Sequence, residues 1–213
     1  MNKIYVLVSA LLVSNAANAN LIDFSGNICS GACVNGSKIA HTYGDIAGQL
    51  DVVYNSNLSL PLSDVITDRR LSYWTAYSNL TGVAFGIQQQ TVEIFLNPLD
   101  GSLVTLNSVD FASYLGLARN SQFTVLDGLN NVLFNSGAYN LLTNTQSFSL
   151  AGLSSLNGLK LQFGPDAFNV GIDNIDYTLS GGDTPSPVPL PAAAWLFGSG
   201  IMGLFGLRRK ALA

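Results

Sequence analysis

Phe123-Thr124-Val125-Leu126-Asp127-Gly128-Leu129-Asn130-Asn131-Val132-Leu133-Phe134 is the stretch that decides the fold. Two short runs of β-branched and aromatic residues flank Asp127 to Asn131, a five-residue segment containing glycine. This is the signature of a β-hairpin. The same texture repeats on both sides of it. Upstream lie Gln49–Tyr54, Gly82–Ile87, Thr91–Leu96 and Leu103–Leu106, the last leading into Val109-Asp110-Phe111. Downstream lie Gln146–Leu150, Leu159–Phe163 and Gly171–Leu179. In Thr91–Leu96 the alternation puts Val92, Ile94 and Leu96 on one face, with Glu93 on the solvent face.

Nine or ten short strands at regular spacing predict an all-β fold: two antiparallel sheets packed as a sandwich. Leu62–Tyr77 is the one stretch with helical character, and its Asp68-Arg69-Arg70 also reads as a solvated turn. No repeat of solenoid or propeller period is present.

The two ends of the chain read differently. Met1–Ala19 has a positive Lys3, an apolar run from Ile4 to Val13 and an Ala17-Asn18-Ala19 cleavage site. These are the three parts of a secretory signal peptide, which predicts a mature chain beginning at Asn20. At the other end, Thr184–Pro191 is dense in proline and reads as extended. Ala192–Leu207 carries no charge, and Arg208, Arg209 and Lys210 follow at once. As a helix those sixteen residues span about 24 Å, against about 30 Å for a hydrocarbon core. The basic cluster is expected to stay cytoplasmic and stop transfer. The chain thus divides into a signal helix (1–19), a β-sandwich domain (20–180), a proline-rich linker and motif (181–191) and a hydrophobic helix with a basic end (192–213).

Charge divides along the same boundaries. All thirteen acidic residues lie between Asp23 and Asp183, with five basic residues among them, a net charge of −8 for that stretch. This excludes an electrostatic nucleic-acid binder. Export implies an oxidising compartment, where Cys29 and Cys33 are expected to pair as a disulfide that sets one loop.

The tail Val188-Pro189-Leu190-Pro191-Ala192-Ala193-Ala194-Trp195-Leu196-Phe197-Gly198-Ser199-Gly200 resembles the VPLPA variant of the PEP-CTERM sorting signal. The proline motif, the glycine-bearing hydrophobic segment and the Arg/Lys cluster match in order, over about the last twenty-six residues. The resemblance implies recognition at Val188, Pro189, Leu190 and Pro191 by exosortase, an integral-membrane protease. It implies transient anchoring in the inner membrane of a Gram-negative bacterium, then release to the surface, in association with exopolysaccharide or biofilm. Leu21–Gly26 and Gly171–Tyr177 look like the first and last strands of jelly-roll, carbohydrate-module-like domains, whose terminal strands lie near each other. Those are likenesses of fold, and they say little about ligand.

Three chemistries are open to the domain. A Ser-His-Asp hydrolase needs His41, the lone histidine, as base, and the chain has no G-x-S-x-G. A glycosidase needs two facing carboxylates, and Glu93 is the single glutamate. A degenerate or unrecognised hydrolase is therefore the weakest reading, and the expectation is a non-catalytic protein. Structural calcium has candidate oxygen ligands in Asp23, Asp173, Asn174 and Asp176. If Ile175 points inward, Asp173 is also on the buried side and needs a metal or a hydrogen-bond donor. Asp173 capping a turn through backbone N–H groups is the alternative. Glycan binding has its candidates in Tyr73, Trp74 and Tyr77, with Tyr43, Tyr54, Tyr114 and Tyr139 scattered elsewhere. The alternative is Trp74 in the core, flanked by Tyr73 and Tyr77 on the opposite face.

Overall fold

The structure, a computed structural model, describes residues 18–56, 58, 70–88, 90–141 and 144–182. Residues 1–17 and 183–213 lie outside that set. So do the expected signal peptide up to Ala17, the expected sorting motif Val188–Pro191, the hydrophobic segment and Arg208, Arg209 and Lys210. Among the described residues every regular element is a β-strand. In chain order they are β1 (Asn18–Ile22), β2 (Leu50–Asn55), β3 (Ser72–Trp74), β4 (Val83–Phe85), β5 (Val92–Pro98), β6 (Leu103–Ser113), β7 (Arg119–Asp127), β8 (Val132–Leu141), β9 (Gln146–Ser155), β10 (Leu159–Gly164) and β11 (Val170–Ser180).

The strands form two antiparallel sheets. One runs β3-β4-β11-β6-β9, with β1 also on β11; the other runs β2-β5-β10-β7-β8. From β4 onward the pairs β4–β11, β5–β10, β6–β9 and β7–β8 nest inside one another. A long hairpin rolled up about its tip, β7–β8, gives this order, which is that of a jelly roll. The tip is the segment that decided the fold from sequence. Its turn is held by Asp127, whose carboxylate accepts the N–H groups of Leu129 and Asn131 at 2.9 and 2.8 Å and the Asn131 amide at 2.8 Å. Those bonds, the Asn131 side chain first, hold the Asp127 pKa below its ordinary value.

The core lies between the sheets and follows the period-two alternation. Val92, Ile94 and Leu96 of β5 are all fully buried. Phe111 of β6 stacks on Phe123 of β7 with centroids 4.8 Å apart, and on Phe163 of β10 at 5.6 Å. Phe148 of β9 completes the cluster, 5.8 Å from Phe111 and 5.5 Å from Phe123. These rings bridge the two sheets and lock their separation.

The first and last strands are direct neighbours. β1 pairs with β11 from Asn18↔Leu179 to Ile22↔Ile175. The expected cleavage before Asn20 falls inside this strand, leaving Asn20, Leu21 and Ile22 in the ladder. The helical reading of Leu62–Tyr77 is corrected over its described part. Ser72–Trp74 is strand β3, and Tyr77 bridges Leu80 and Tyr114. A short apolar run such as this fits a strand as well as a helix segment, and length decides between them.

Candidate functional site

The aromatic run Tyr73–Tyr77 does not share one site. β3 pairs with β4 so that Trp74 stands opposite Val83 and Tyr73 opposite Ala84. Ala84 faces the main core, and Tyr73 packs against that core from its margin. Trp74 therefore lies on the outer face of the sheet. After β3 the chain turns sharply, with Ala76 and Ser78 at φ of 67° and 47°. The turn returns Tyr77 to the same side as Trp74, so of the two tyrosines expected on the opposite face only Tyr73 lies there. The expectation of Trp74 in the main core is corrected as well.

On this outer face Tyr77, Val83, Phe85 and Ala112 form a second, smaller hydrophobic cluster, with Trp74, Leu80 and Tyr114 packed on it. Gly171 of β11 makes room for it. A Cβ there would stand 2.3 Å from Val83 Cγ2 and 3.1 Å from Tyr77 Cδ1. Trp74, Tyr77, Phe85, Tyr114 and Phe168 enclose a half-open cavity of about 140 Å³. Its walls meet at steep angles. Trp74 is 86° from Phe85 and 83° from Tyr114, with centroids 5.8 and 6.3 Å apart. Phe85 meets Phe168 at 76° and 5.7 Å. Phe168, 43% exposed, stands at the mouth.

Hydrogen bonds to backbone carbonyls anchor the Tyr77, Tyr114 and Phe168 walls. The Tyr77 hydroxyl donates to the Phe168 carbonyl. The Tyr114 N–H donates to the Asn169 carbonyl at 2.8 Å, and the Leu115 N–H to the Ala76 carbonyl at 3.0 Å. Burial pushes the Tyr77 hydroxyl pKa up; Tyr114 and Asp166 add to this, and Arg119 opposes it.

The cysteine loop packs against the main core. Cys29 and Cys33 are joined by a disulfide, as expected. The chain after it runs beside β3. Gly36 N–H donates to the Tyr73 carbonyl and Tyr73 N–H to the Ser37 carbonyl, both at 2.8 Å. Asn35 Oδ1 accepts the Thr75 N–H at 3.0 Å. Gly36, at φ +90°, brings its backbone against the indole; a Cβ there would stand 3.7 Å from Trp74 Cζ3.

The acidic candidates lie around β11. Asp173 is buried, 3% exposed, where β1 gives way to β4 along the edge of β11. Its Oδ1 accepts the N–H of Phe24 at 2.7 Å, a donor that has left the β1 ladder. The backbone-donor alternative to a metal thus describes its surroundings, although the donor is distant in sequence and not a local turn. Burial pushes the Asp173 pKa up to about 6, against the pull of the Phe24 and Asn174 N–H groups; Asp23 and Asp110 push the same way as burial. Asp23 Oδ1 accepts the Ser25 N–H at 2.9 Å, Asn174 donates to Asp110 at 2.9 Å, and Asn107 donates to Asp176 at 3.0 Å. Among the described residues no three His, Cys, Asp or Glu side chains gather about one point.

Other candidates disperse. His41 is exposed in a turn. Glu93 is on the outer face as expected, but it is covered, 7% exposed, and accepts a 2.7 Å bond from Gln162 on β10, so it does not face open solvent. Tyr54 is buried and donates to the Tyr43 carbonyl, while Tyr43 donates to the Asp23 carbonyl. Sequence reasoning missed Phe85 and Phe168 as members of the cavity and did not join Tyr114 to Trp74. The available signal was the alternation Val83-Ala84-Phe85, which puts two large apolar side chains on the face away from the core. No known family profile matches the chain, and no curated protein is detectably similar to it.

Proposed function

We propose that this chain is an exported, non-catalytic cell-surface or extracellular-matrix protein of a Gram-negative bacterium. Residues 192–207 hold it in the inner membrane until an exosortase-like protease cuts near Val188–Pro191. The released sandwich then associates with exopolysaccharide or biofilm. The observation that carries this reading is the ordered set of topogenic signals in one chain: signal peptide, VPLP motif, uncharged segment and Arg208-Arg209-Lys210. Both cysteines of the chain are spent in one disulfide, in keeping with an oxidising compartment. Its last strand ends at Ser180, eight residues before the motif, a spacing suited to a short tether. An exposed His41 and a covered Glu93 support a non-catalytic role.

Intact-mass analysis of the surface-released protein tests this. The expected species begins at Asn20, lacks everything beyond about Pro191 and is two hydrogens lighter for the disulfide. A mature species retaining Arg208 overturns the sorting claim.

A second reading, a carbohydrate-binding module, is favoured by one observation. Trp74 lines an open aromatic cavity rather than the sandwich core, and its ring is available to the apolar face of a ligand. Glycan-array binding that is lost in Trp74→Ala but kept in Tyr54→Phe supports it.

A further inference from the structure

The aromatic cavity has a chemistry that narrows what it holds. Its five lining side chains are all aromatic, and none is a carboxylate, an amide or a cation. Of its two phenols, Tyr77 already spends its proton on the Phe168 carbonyl. A polyol seated here keeps hydrogen-bond partners only for the hydroxyl groups it turns to the open side. A group without hydrogen-bond donors has no such constraint. The cavity, about 140 Å³, is close to the roughly 150 Å³ that encloses a single benzene ring. Trp74 stands near-perpendicular to Phe85 and Tyr114, and Phe85 to Phe168, while Tyr77 is tilted by 32° to Phe85 and 52° to Tyr114, so rings wall one volume on several sides where a flat stacking platform offers a single wall. Ring faces carry the negative end of the aromatic quadrupole. Around it the domain is strongly acidic, and of the charged groups that act on Tyr77, Asp166 outweighs Arg119.

We infer that Trp74, Tyr77, Phe85, Tyr114 and Phe168 form a cage for a quaternary ammonium group, of the trimethylammonium kind. Such a cation is bulky, weakly hydrated and free of N–H donors, and it gains from each ring face within about 6 Å. The cage admits the group either on a free solute or as a substituent borne by a lipid or polymer. The inference does not depend on how the tail is processed.

The test is a fluorescence titration of the full chain carrying Trp195→Phe, which leaves Trp74 as its one tryptophan. Choline represents the free solute, phosphorylcholine the borne substituent, and 3,3-dimethylbutan-1-ol is the uncharged isostere. Choline or phosphorylcholine should shift the Trp74 signal saturably and bind about tenfold tighter than the isostere. Whichever of choline and phosphorylcholine binds more tightly identifies the source. Phe168→Leu keeps the apolar bulk and removes one ring face. It should weaken choline binding several-fold and leave the isostere and the thermal midpoint unchanged. Equal binding of choline and the isostere overturns the inference, as does a Trp74 signal that neither choline nor phosphorylcholine moves. Neither result touches the export reading, which mass analysis decides separately.

Discussion

Two aromatic clusters share this sandwich, and they are built for different ends. Between the sheets, Phe111, Phe123, Phe148 and Phe163 pack without a polar atom, three of them wholly buried. On the outer face, Trp74, Tyr77 and Tyr114 join Phe85 and Phe168, and the cluster stays open at one side. The inner rings are supplied by long strands in regular ladders. The outer rings come from two three-residue strands, a tight turn and two connecting segments. The first arrangement excludes water and contributes stability. The second buries Tyr77 and Phe85 but leaves Trp74, Tyr114 and Phe168 partly uncovered, which makes those three available to a ligand.

The largest expected effect separates the clusters by stability. Phe111→Ala removes the ring that touches both sheets and should cost about 3–5 kcal/mol. Urea unfolding monitored by far-UV circular dichroism measures it. A loss under about 1 kcal/mol would mean that the inner rings do not carry the fold.

The contrast also governs what was legible in the sequence. The inner cluster follows from alternation, since Val92, Ile94, Leu96, Phe123 and Val125 are buried where the period of two puts them. The hairpin tip was legible because Asp127 and Asn131 make its turn locally. The outer cluster was not. Trp74 and Phe168 are far apart in sequence, and the turn at Ala76 and Ser78 breaks the alternation that would have placed Tyr77. Asp173 was legible as a buried carboxylate, but its partner Phe24, 149 residues away, was not. Residues that meet through topology leave no periodic trace.

The next effect bears on the inner region alone. Asp173 sits beside Phe24, a core residue, with its pKa raised from 3.8 to about 6. A carboxyl whose folded pKa lies above its unfolded one favours the fold when protonated. That contribution is complete below about pH 4 and is lost as pH rises through about 6, a change of up to about 3 kcal/mol. Asp173→Asn keeps an oxygen for the Phe24 N–H and removes the charge, so the slope between pH 4 and 6.5 should flatten. Trp74 fluorescence should stay constant across that range; a shift in it would show that the two clusters are coupled.

The disulfide acts on the other side of the comparison. It closes a ring of only a few residues, so loop entropy allows it about 2 kcal/mol or less. The segment just after it runs beside β3, where Asn35 accepts the Thr75 N–H and a Cβ at Gly36 would touch the Trp74 indole. The double variant Cys29→Ser/Cys33→Ser should therefore lower the urea midpoint slightly and move Trp74 emission to the red as the indole gains water. An unchanged emission maximum would show that the loop does not brace the cavity.

The smallest effect is the most diagnostic. Phe168 stands in the turn between β10 and β11, 43% exposed, and touches the fold through its contact with Phe85. A core phenylalanine truncated to alanine leaves a void that the surroundings cannot fill. Here the missing ring leaves space already open to water, so little apolar burial is lost. The turn itself depends on backbone bonds, from Asn169 and Val170 N–H to the Asp166 carbonyl at 3.0 Å each, and these survive the substitution. Phe168→Ala should thus cost under about 1 kcal/mol in urea unfolding, several-fold less than Phe111→Ala despite deleting the same atoms. If the two costs were comparable, the outer rings would be a second core closed over by Phe168, and the distinction between a stabilising cluster and a presented one would fail.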